Sequence, residues 1–402
     1  MSEHAVIIKA NPVRKVFKAT KITKIPESIL KDAKLQAATS SFPKNYNFEL
    51  PKTIWKIREM NAKMIALQMP EGLLMFSTTL ADIIKEFTGA DSIIMGDVTY
   101  GACCIDDITA KALGVELLIH YGHSCLVPVD QMSGLKVLYI FVDIKIDPVH
   151  FIDTIKCNFD KASKIGLVST IQFVTTLQTV AKLLQEYGYD VSIPQFKPLS
   201  PGEILGCTAP TLKCCDNVIY LGDGRFHLEA VMIANPKVKA FKYDPYSKKF
   251  TIEEYDHILM KSNRNVTIER ARFANKFGVI MGTLGRQGSP KVVEHLRKRL
   301  RDSGKAAVVI MLSEIFPKKI DLFCQLEAFV QIACPRLSID WGSAFSKPFL
   351  TPYELAVVIG DARWKDASSY PMDFYANASL GPWTPNHKPD ENSVNTCCGK
   401  CS

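Results

Sequence analysis

Hydrophobic positions repeat one layout three times along the chain: an apolar strand, an amphipathic helix stopped at a glycine, a second strand, then a polar loop. In the first copy residues 64–67 read as a strand, Leu73, Phe76, Leu80, Ile83, Ile84 and Phe87 share one helical face ahead of Gly89, and 92–95 form the next strand. The second copy has a strand at 165–168, a helix carrying Phe173, Leu177, Val180, Leu184 and Tyr187, a stop at Gly188, and a strand at 191–193. The third has 277–281, a helix capped at Ser289 with Pro290 in its first turn and Val293, Leu296 and Leu300 inward, then Gly304 and a strand at 306–311. The copies share a pattern, not identity.

Strands alternating with helices predict parallel sheets with crossovers, and the unbroken apolar run at 306–311 predicts a strand buried on both faces. Further strands are expected at 117–120 and 137–142, at 218–221 and 238–243, and at 328–333 and 355–358, which gives each lobe four. The fold class is α/β, with each lobe a small, mostly parallel four-stranded sheet flanked by helices. Residues 1–60 are expected to form a partly basic N-terminal extension, 61–157, 158–270 and 271–370 the three lobes, and 371–402 a flexible tail rich in Asn, Pro, Gly and Ser.

A length of 402 residues agrees with two to four compact units at roughly 100–200 residues each. With 47% hydrophobic and 22% charged residues, the chain is globular rather than disordered. It has no run of 18 apolar residues and its first residues lack a leader pattern, so neither a spanning helix nor a secretory signal is expected, and the expected location is the cytosol. The net charge of +8 is largely a property of the N-terminal segment: Lys9, Arg14, Lys15, Lys18, Lys21, Lys24, Lys31, Lys34 and Lys44. A solvated arm accounts for it, and no direct nucleic-acid or membrane partner is expected.

Twelve cysteines in a reducing compartment are expected to be buried thiols or metal or redox ligands, not disulfides. Ligands of open parallel sheets gather beyond the carboxyl ends of strands, and Cys103 and Cys207 lie there, 38 residues past Ile65 and 42 past Ile165. The third lobe offers two candidates. Cys324, 45 residues past Val279, fits the count but reads as part of a buried helix; Cys334, 55 past, follows a strand and is held in Ala333-Cys334-Pro335-Arg336. Three cysteines so far apart form no local motif. Closing a loop of about a hundred residues instead of three costs only roughly 3 kcal/mol more, which lobe packing can offset. Three thiolates with a vacant fourth position suit either a catalytic metal or a [4Fe–4S] cluster with one exchangeable iron.

The chain resembles the diphthamide synthesis family of 2-(3-amino-3-carboxypropyl)histidine synthases, in its eukaryotic form. The resemblance is carried by Met69-Pro70-Glu71-Gly72-Leu73, by the run from Gly96 through Tyr100-Gly101-Ala102-Cys103-Cys104 to Asp107, by His120-Tyr121-Gly122-His123-Ser124-Cys125, by Pro201-Gly202-Glu203-Ile204-Leu205-Gly206-Cys207-Thr208, by Gly222-Asp223-Gly224-Arg225-Phe226-His227 and by Ala333-Cys334-Pro335-Arg336. It implies three homologous lobes around a shared central site, with a [4Fe–4S] cluster held by Cys103, Cys207 and Cys334. The implied reaction moves the 3-amino-3-carboxypropyl group of S-adenosylmethionine to carbon 2 of a histidine in elongation factor 2, by radical chemistry and without the usual C-x3-C-x2-C signature. The implied partners are elongation factor 2, a related subunit 2 in a heterodimer, and a small metal-binding electron donor protein.

Other residues are weighed beside this. Gly282, Gly285, Arg286 and Gln287 precede the helix at Ser289, where backbone N–H groups can hold an anion such as the methionine carboxylate, or form a plain strand-to-helix turn. His120, His123, Asp223, Arg225 and His227 follow strands and either line a pocket or serve structure. Cys397, Cys398 and Cys401 form a terminal cluster whose role the sequence leaves open. Cys125, Cys157, Cys214, Cys215 and Cys324 read as buried thiols. No side chain is singled out as catalytic. Two further readings stay open: a cluster-binding structural or electron-relay subunit whose partner carries the chemistry, and a zinc-stabilised protein-binding scaffold.

Overall fold

The computed structural model of the protein describes residues 24–97, 101–124, 126–127, 132–364, 369–372 and 379–388. Three sheets dominate it. The first contains β1 (Met64–Gln68), β2 (Asp91–Met95), β3 (Leu117–Tyr121) and β4 (Lys136–Ile140). The second contains β5 (Ile165–Ser169), β6 (Val191–Ser192), β7 (Asn217–Leu221), β8 (Lys239–Asp244) and β9 (Lys249–Glu253), and the third β10 (Lys276–Gly282), β11 (Ala306–Leu312), β12 (Ala328–Ile332) and β13 (Phe349–Leu350).

In each sheet the four successive strands stand in the same spatial order, second, first, third, fourth. All these pairings are parallel. The repeat seen in the sequence is thus a repeat of topology. The second sheet adds β9, antiparallel to β8, which the sequence reading did not anticipate.

The helices Ser77–Thr88, Val174–Glu186 and Pro290–Asp302 bury their predicted apolar faces, including Leu80, Ile83 and Ile84, Leu177 and Leu184, and Leu296 and Leu300. Gly89, Gly188 and Gly304 all have positive φ, near 71°, 84° and 73°. There a side chain would be strained, so the helix ends and the chain reverses into the next strand. Residues 24–60 are not separate from the first lobe: Leu35, Phe42, Phe48, Ile54 and Ile57 share a core with Ile65, Leu67, Leu80 and Ile119. Residues 379–388 are not loose either, since Trp383 joins the core of the third lobe with Tyr353 and Tyr370.

Two local expectations are corrected. The run 355–358 is helical, inside Pro352–Val358, because Thr351 and Glu354 form a reciprocal capping box and Pro352 presets the first turn; the fourth strand is Phe349–Leu350 instead. The strand at 306–311 is not buried on both faces. It is the edge strand β11, and Val308 and Met311 are 55% and 63% exposed.

Candidate functional site

The carboxyl ends of β1, β3 and β12 carry buried polar residues inside otherwise apolar strands. Gln68, level with His120 across the first sheet, donates its amide to the Cys104 carbonyl at 2.9 Å and accepts from the Asp106 N–H at 3.3 Å. Gln331 does the same in the third lobe, donating to the Cys334 carbonyl at 2.7 Å and to Ser338 Oγ at 3.0 Å while accepting from Ala333 N–H at 2.9 Å. Each glutamine replaces water as partner for a cysteine loop and fixes its path.

Side chains from different lobes close the centre. Arg286 Nε and Nη2 reach Asp107 at 2.7 and 2.9 Å, joining the third lobe to the first. Arg336 donates to the Phe226 carbonyl at 2.8 Å and to Glu229, and stacks on the Phe226 ring at 4.4 Å, joining the third lobe to the second. Gln172 donates to the Gly122 carbonyl at 2.6 Å, joining the second to the first. Gly206, beside Cys207, leaves the space that the Phe226 ring occupies; a Cβ there would collide with it.

Within this frame Cys103 lies close enough to Cys207 and Cys334 for their charges to act on its thiol. The Cys104 thiol, burial, and the charges of Cys104, Cys207 and Cys334 push the Cys103 thiol well above its ordinary pKa. Cys334 is raised by burial, opposed by the N–H groups of Arg336 and Leu337 and by the Arg336 guanidinium. Cys103, Cys207 and Cys334 are each partly exposed, whereas Cys104 is buried. Among the described residues no three His, Cys, Asp or Glu side chains form a group suited to a single metal ion. A zinc ion would need its donors within about 2.3 Å of one point; a four-iron cubane accepts thiolates set farther apart.

A cavity of about 330 Å³, with no cysteine in its lining, opens between the first and second lobes, lined by His123, Glu203, Asp223, His227, Gln172 and Tyr246 among others. Burial, reinforced by His227, takes His123 down to about 4, and burial with the Arg336 charge takes His227 to about 4. Both rings are neutral at physiological pH. His120, fully buried behind them, is driven well below the usual value by burial and His123, and its Nδ1 donates to Gln68 Oε1 at 2.9 Å. Burial raises Glu203 despite the nearby Ser124 hydroxyl and the Ser200 N–H. Among the described residues, the buried atoms His120 Nε2, His123 Nδ1 and Ser169 Oγ around this seam have no hydrogen-bond partner. Such a concentration is what a polar ligand site leaves behind. A larger shallow groove of about 650 Å³ along Val266, Arg270 and Phe273 contains no imidazole in its lining.

The diphthamide synthesis protein family matches residues 69–371. This chain belongs to that family. It is 58% identical over 384 residues to 2-(3-amino-3-carboxypropyl)histidine synthase subunit 1 of Gallus gallus, covering 95% of this chain and 93% of that one. The protein of the same name from Homo sapiens is 59% identical over 368 residues, covering 91% and 83%. That from Schizosaccharomyces pombe is 54% identical over 393, covering 96% and 89%. Among solved structures, the crystal structure of Dph2 from Pyrococcus horikoshii with a 4Fe-4S cluster aligns with TM-score 0.68 at 27% identity, covering 84% of this chain and 97% of that one.

The other expected site residues of this diphthamide-family chain divide. His120, His123 and Asp223 lie at the seam. Arg225 turns away from it, paired with Glu253 at 2.8 Å and Glu229 at 3.4 Å. Arg286 is engaged by Asp107, while Gly282, Gly285 and Gln287 form a tight loop closed by the Gly288 N–H to the Gly282 carbonyl at 2.9 Å. In that loop the N–H groups of Leu284 and Gly285 donate to no backbone carbonyl among the described residues. Cys157, Cys214 and Cys324 are exposed and Cys215 is half-buried, so these four are not the buried thiols expected; they sit at helix and loop surfaces, where an apolar flank misleads. Cys125, Cys397, Cys398 and Cys401 lie outside the described residues. The sequence reading missed Gln68, Gln331 and a positioning role for Arg336. A lone glutamine at the end of an apolar strand was the available signal.

Proposed function

We propose that this chain is the cluster-bearing catalytic subunit of a 2-(3-amino-3-carboxypropyl)histidine synthase, transferring the 3-amino-3-carboxypropyl group of S-adenosylmethionine to carbon 2 of a histidine in elongation factor 2, the first step of diphthamide biosynthesis. The observation that supports this reading best is that the charges of Cys207 and Cys334, one from each other lobe, act on the Cys103 thiol, in a family where the Pyrococcus horikoshii Dph2 structure is described with a 4Fe-4S cluster.

The donor set fits such a cluster: three thiols, with Arg336 and two N–H groups favouring the thiolate of Cys334. When bound, a [4Fe–4S] cluster with an open iron supplies the single electron that cleaves a sulfonium carbon–sulfur bond, which imidazole carbon 2, a poor nucleophile, requires. The chain's own residues hold and orient. His123 and His227, kept uncharged by burial, present hydrogen-bonding groups to a cationic sulfonium without repelling it, and Asp223 and Glu203 add acceptors. Leu284 and Gly285 offer N–H groups for the donor's carboxylate. The Arg286 and Arg336 ties keep the three loops in register and limit water entry. A related second subunit and a small metal-binding electron donor complete the system, in the cytoplasm, where the free thiols of the described residues stay reduced.

The test is anaerobic reconstitution with the second subunit, reductant, S-adenosylmethionine and elongation factor 2. Release of methylthioadenosine together with modified factor, both lost in Cys103→Ala, Cys207→Ala and Cys334→Ala, supports the proposal. Full activity in any of the three removes that ligand. Turnover that persists with all three replaced transfers the chemistry to the partner.

A further inference from the structure

The three sheets are equivalent, yet their second strands end differently. Each is an edge strand. In the second lobe β6 has only two residues, and in the first β2 begins with a charged, exposed Asp91 and is half-buried thereafter. Short strands and charged residues are ordinary guards against unwanted pairing. In the third lobe β11 has seven residues, Ala-Ala-Val-Val-Ile-Met-Leu, with neither charge nor proline. Val308 is 55% exposed on one face, and Val309 and Met311 are 39% and 63% exposed on the other. The chain that leaves it carries two further bare apolar side chains, Phe316 and Leu322.

The surroundings of this edge are basic. The helix Pro290–Asp302, packed on β10 and β11, exposes Lys291, Lys298 and Arg301, and Lys318 is exposed in the next helix. None of these four has an ion pair among the described residues, whereas Glu294 and Glu314 are matched by Arg297 and Lys319. Two copies of this chain joined edge to edge would set these cations against each other.

We propose that the free edge of β11 is the docking face for a different polypeptide, the second subunit of the synthase, which adds a strand there and covers Val308, Val309 and Met311 with an apolar surface rimmed by acidic residues. The inference rests on the proposed multi-subunit synthase and agrees with the name "subunit 1" carried by the relatives. It also places the partner beside the centre. The Leu312 carbonyl at the end of β11 accepts the Thr283 N–H at 2.9 Å, and Thr283 opens the loop that Arg286 ties to Asp107. A strand added to β11 therefore braces the third-lobe wall of the site.

The test measures affinity between the full chain and the purified second subunit, with amide exchange of the free and bound chain. Val309→Lys and Met311→Lys are each expected to weaken binding at least tenfold with unchanged melting temperature, since neither side chain is buried. The β11 amides gain protection in the complex. Phe273→Lys, at a still barer apolar position just past the helix His257–Arg272, leaves affinity unchanged. Unaltered binding in both β11 variants, or β11 amides that exchange alike free and bound, overturns the proposal. So does a homodimer of this chain that the same substitutions break. Because binding requires no turnover, a negative result here is distinct from failure of the transferase reading.

Discussion

Arg286 and Asp107, 179 positions apart, form a two-point ion pair at 2.7 and 2.9 Å that fastens a loop of the third lobe to the helix following Cys103 in the first. Burial alone would raise the Asp107 carboxyl; the Arg286 hydrogen bond, the Ser133 N–H and hydroxyl, and the Arg286 charge hold it below the ordinary value instead. A carboxyl depressed in the folded state stabilises fully above its unfolded pKa, near 3.9, and loses that contribution as pH falls through the lower folded value. Asp107→Asn is therefore expected to cost about 1–3 kcal/mol at pH 7. The gap to the parent should close below about pH 4. Melting temperatures of both proteins across pH 3 to 8 check this; a gap that is flat with pH contradicts it.

Arg264 is buried and matched with equal completeness. Its guanidinium meets both Glu354 oxygens at 2.6 Å and the carbonyls of Ser338 and Phe349 at 2.8 and 2.7 Å, and Tyr370 donates to Glu354 at 2.7 Å. The network pins the helix Pro335–Trp341, which starts at Cys334. Arg264→Met leaves Glu354 buried without its cation and should cost about 3–5 kcal/mol, while Arg264→Met with Glu354→Gln should recover part of the loss. Denaturation midpoints of the two variants decide it.

Exposure separates the cysteines. Cys157→Ser, Cys214→Ser and Cys324→Ser are expected to retain iron and visible absorbance after anaerobic reconstitution, because these thiols face solvent. Cys103→Ala, Cys207→Ala and Cys334→Ala should each lose both. Cys104→Ala is the sharper case: its thiol is buried, so iron should stay and stability fall by about 1 kcal/mol. Iron content per chain is the measurement.

Gly285 has φ near +58°, and a Cβ there would run into the Cys104 carbonyl and stand 2.6 Å from the Ile105 oxygen. Gly285→Ala should push the loop away from the Cys103–Cys104 turn, costing about 1–3 kcal/mol and loosening S-adenosylmethionine binding. Calorimetric titration and a thermal melt test both effects.

Much of this architecture was legible in the chain. Helix-period faces and the glycines at 89, 188 and 304 placed the first three elements of every lobe, because burial and positive φ leave few alternatives. Short apolar runs were less readable. Residues 355–358 have a composition common to strand and helix, and the deciding signal was the Thr351–Glu354 cap just upstream. Residues 306–312 look like an interior strand because sequence records hydrophobicity, not which neighbour supplies the burial. The resemblance favoured Cys334 over Cys324, and Cys324 proves exposed. Gln68, Gln331 and Arg336 escaped notice because their partners are carbonyls and side chains brought close only by the folded lobes.

The glycine stops have one more consequence. Gly89, Gly188 and Gly304 turn the chain at the amino ends of β2, β6 and β11, the rim opposite the cysteine loops. Extra sequence or a fusion partner can be inserted next to Gly89 and Gly188, with the glycines kept, without lengthening any segment that faces the thiols. The fold thus gives natural variation, and the engineer, an outer side on which to elaborate and an inner side that tolerates almost none.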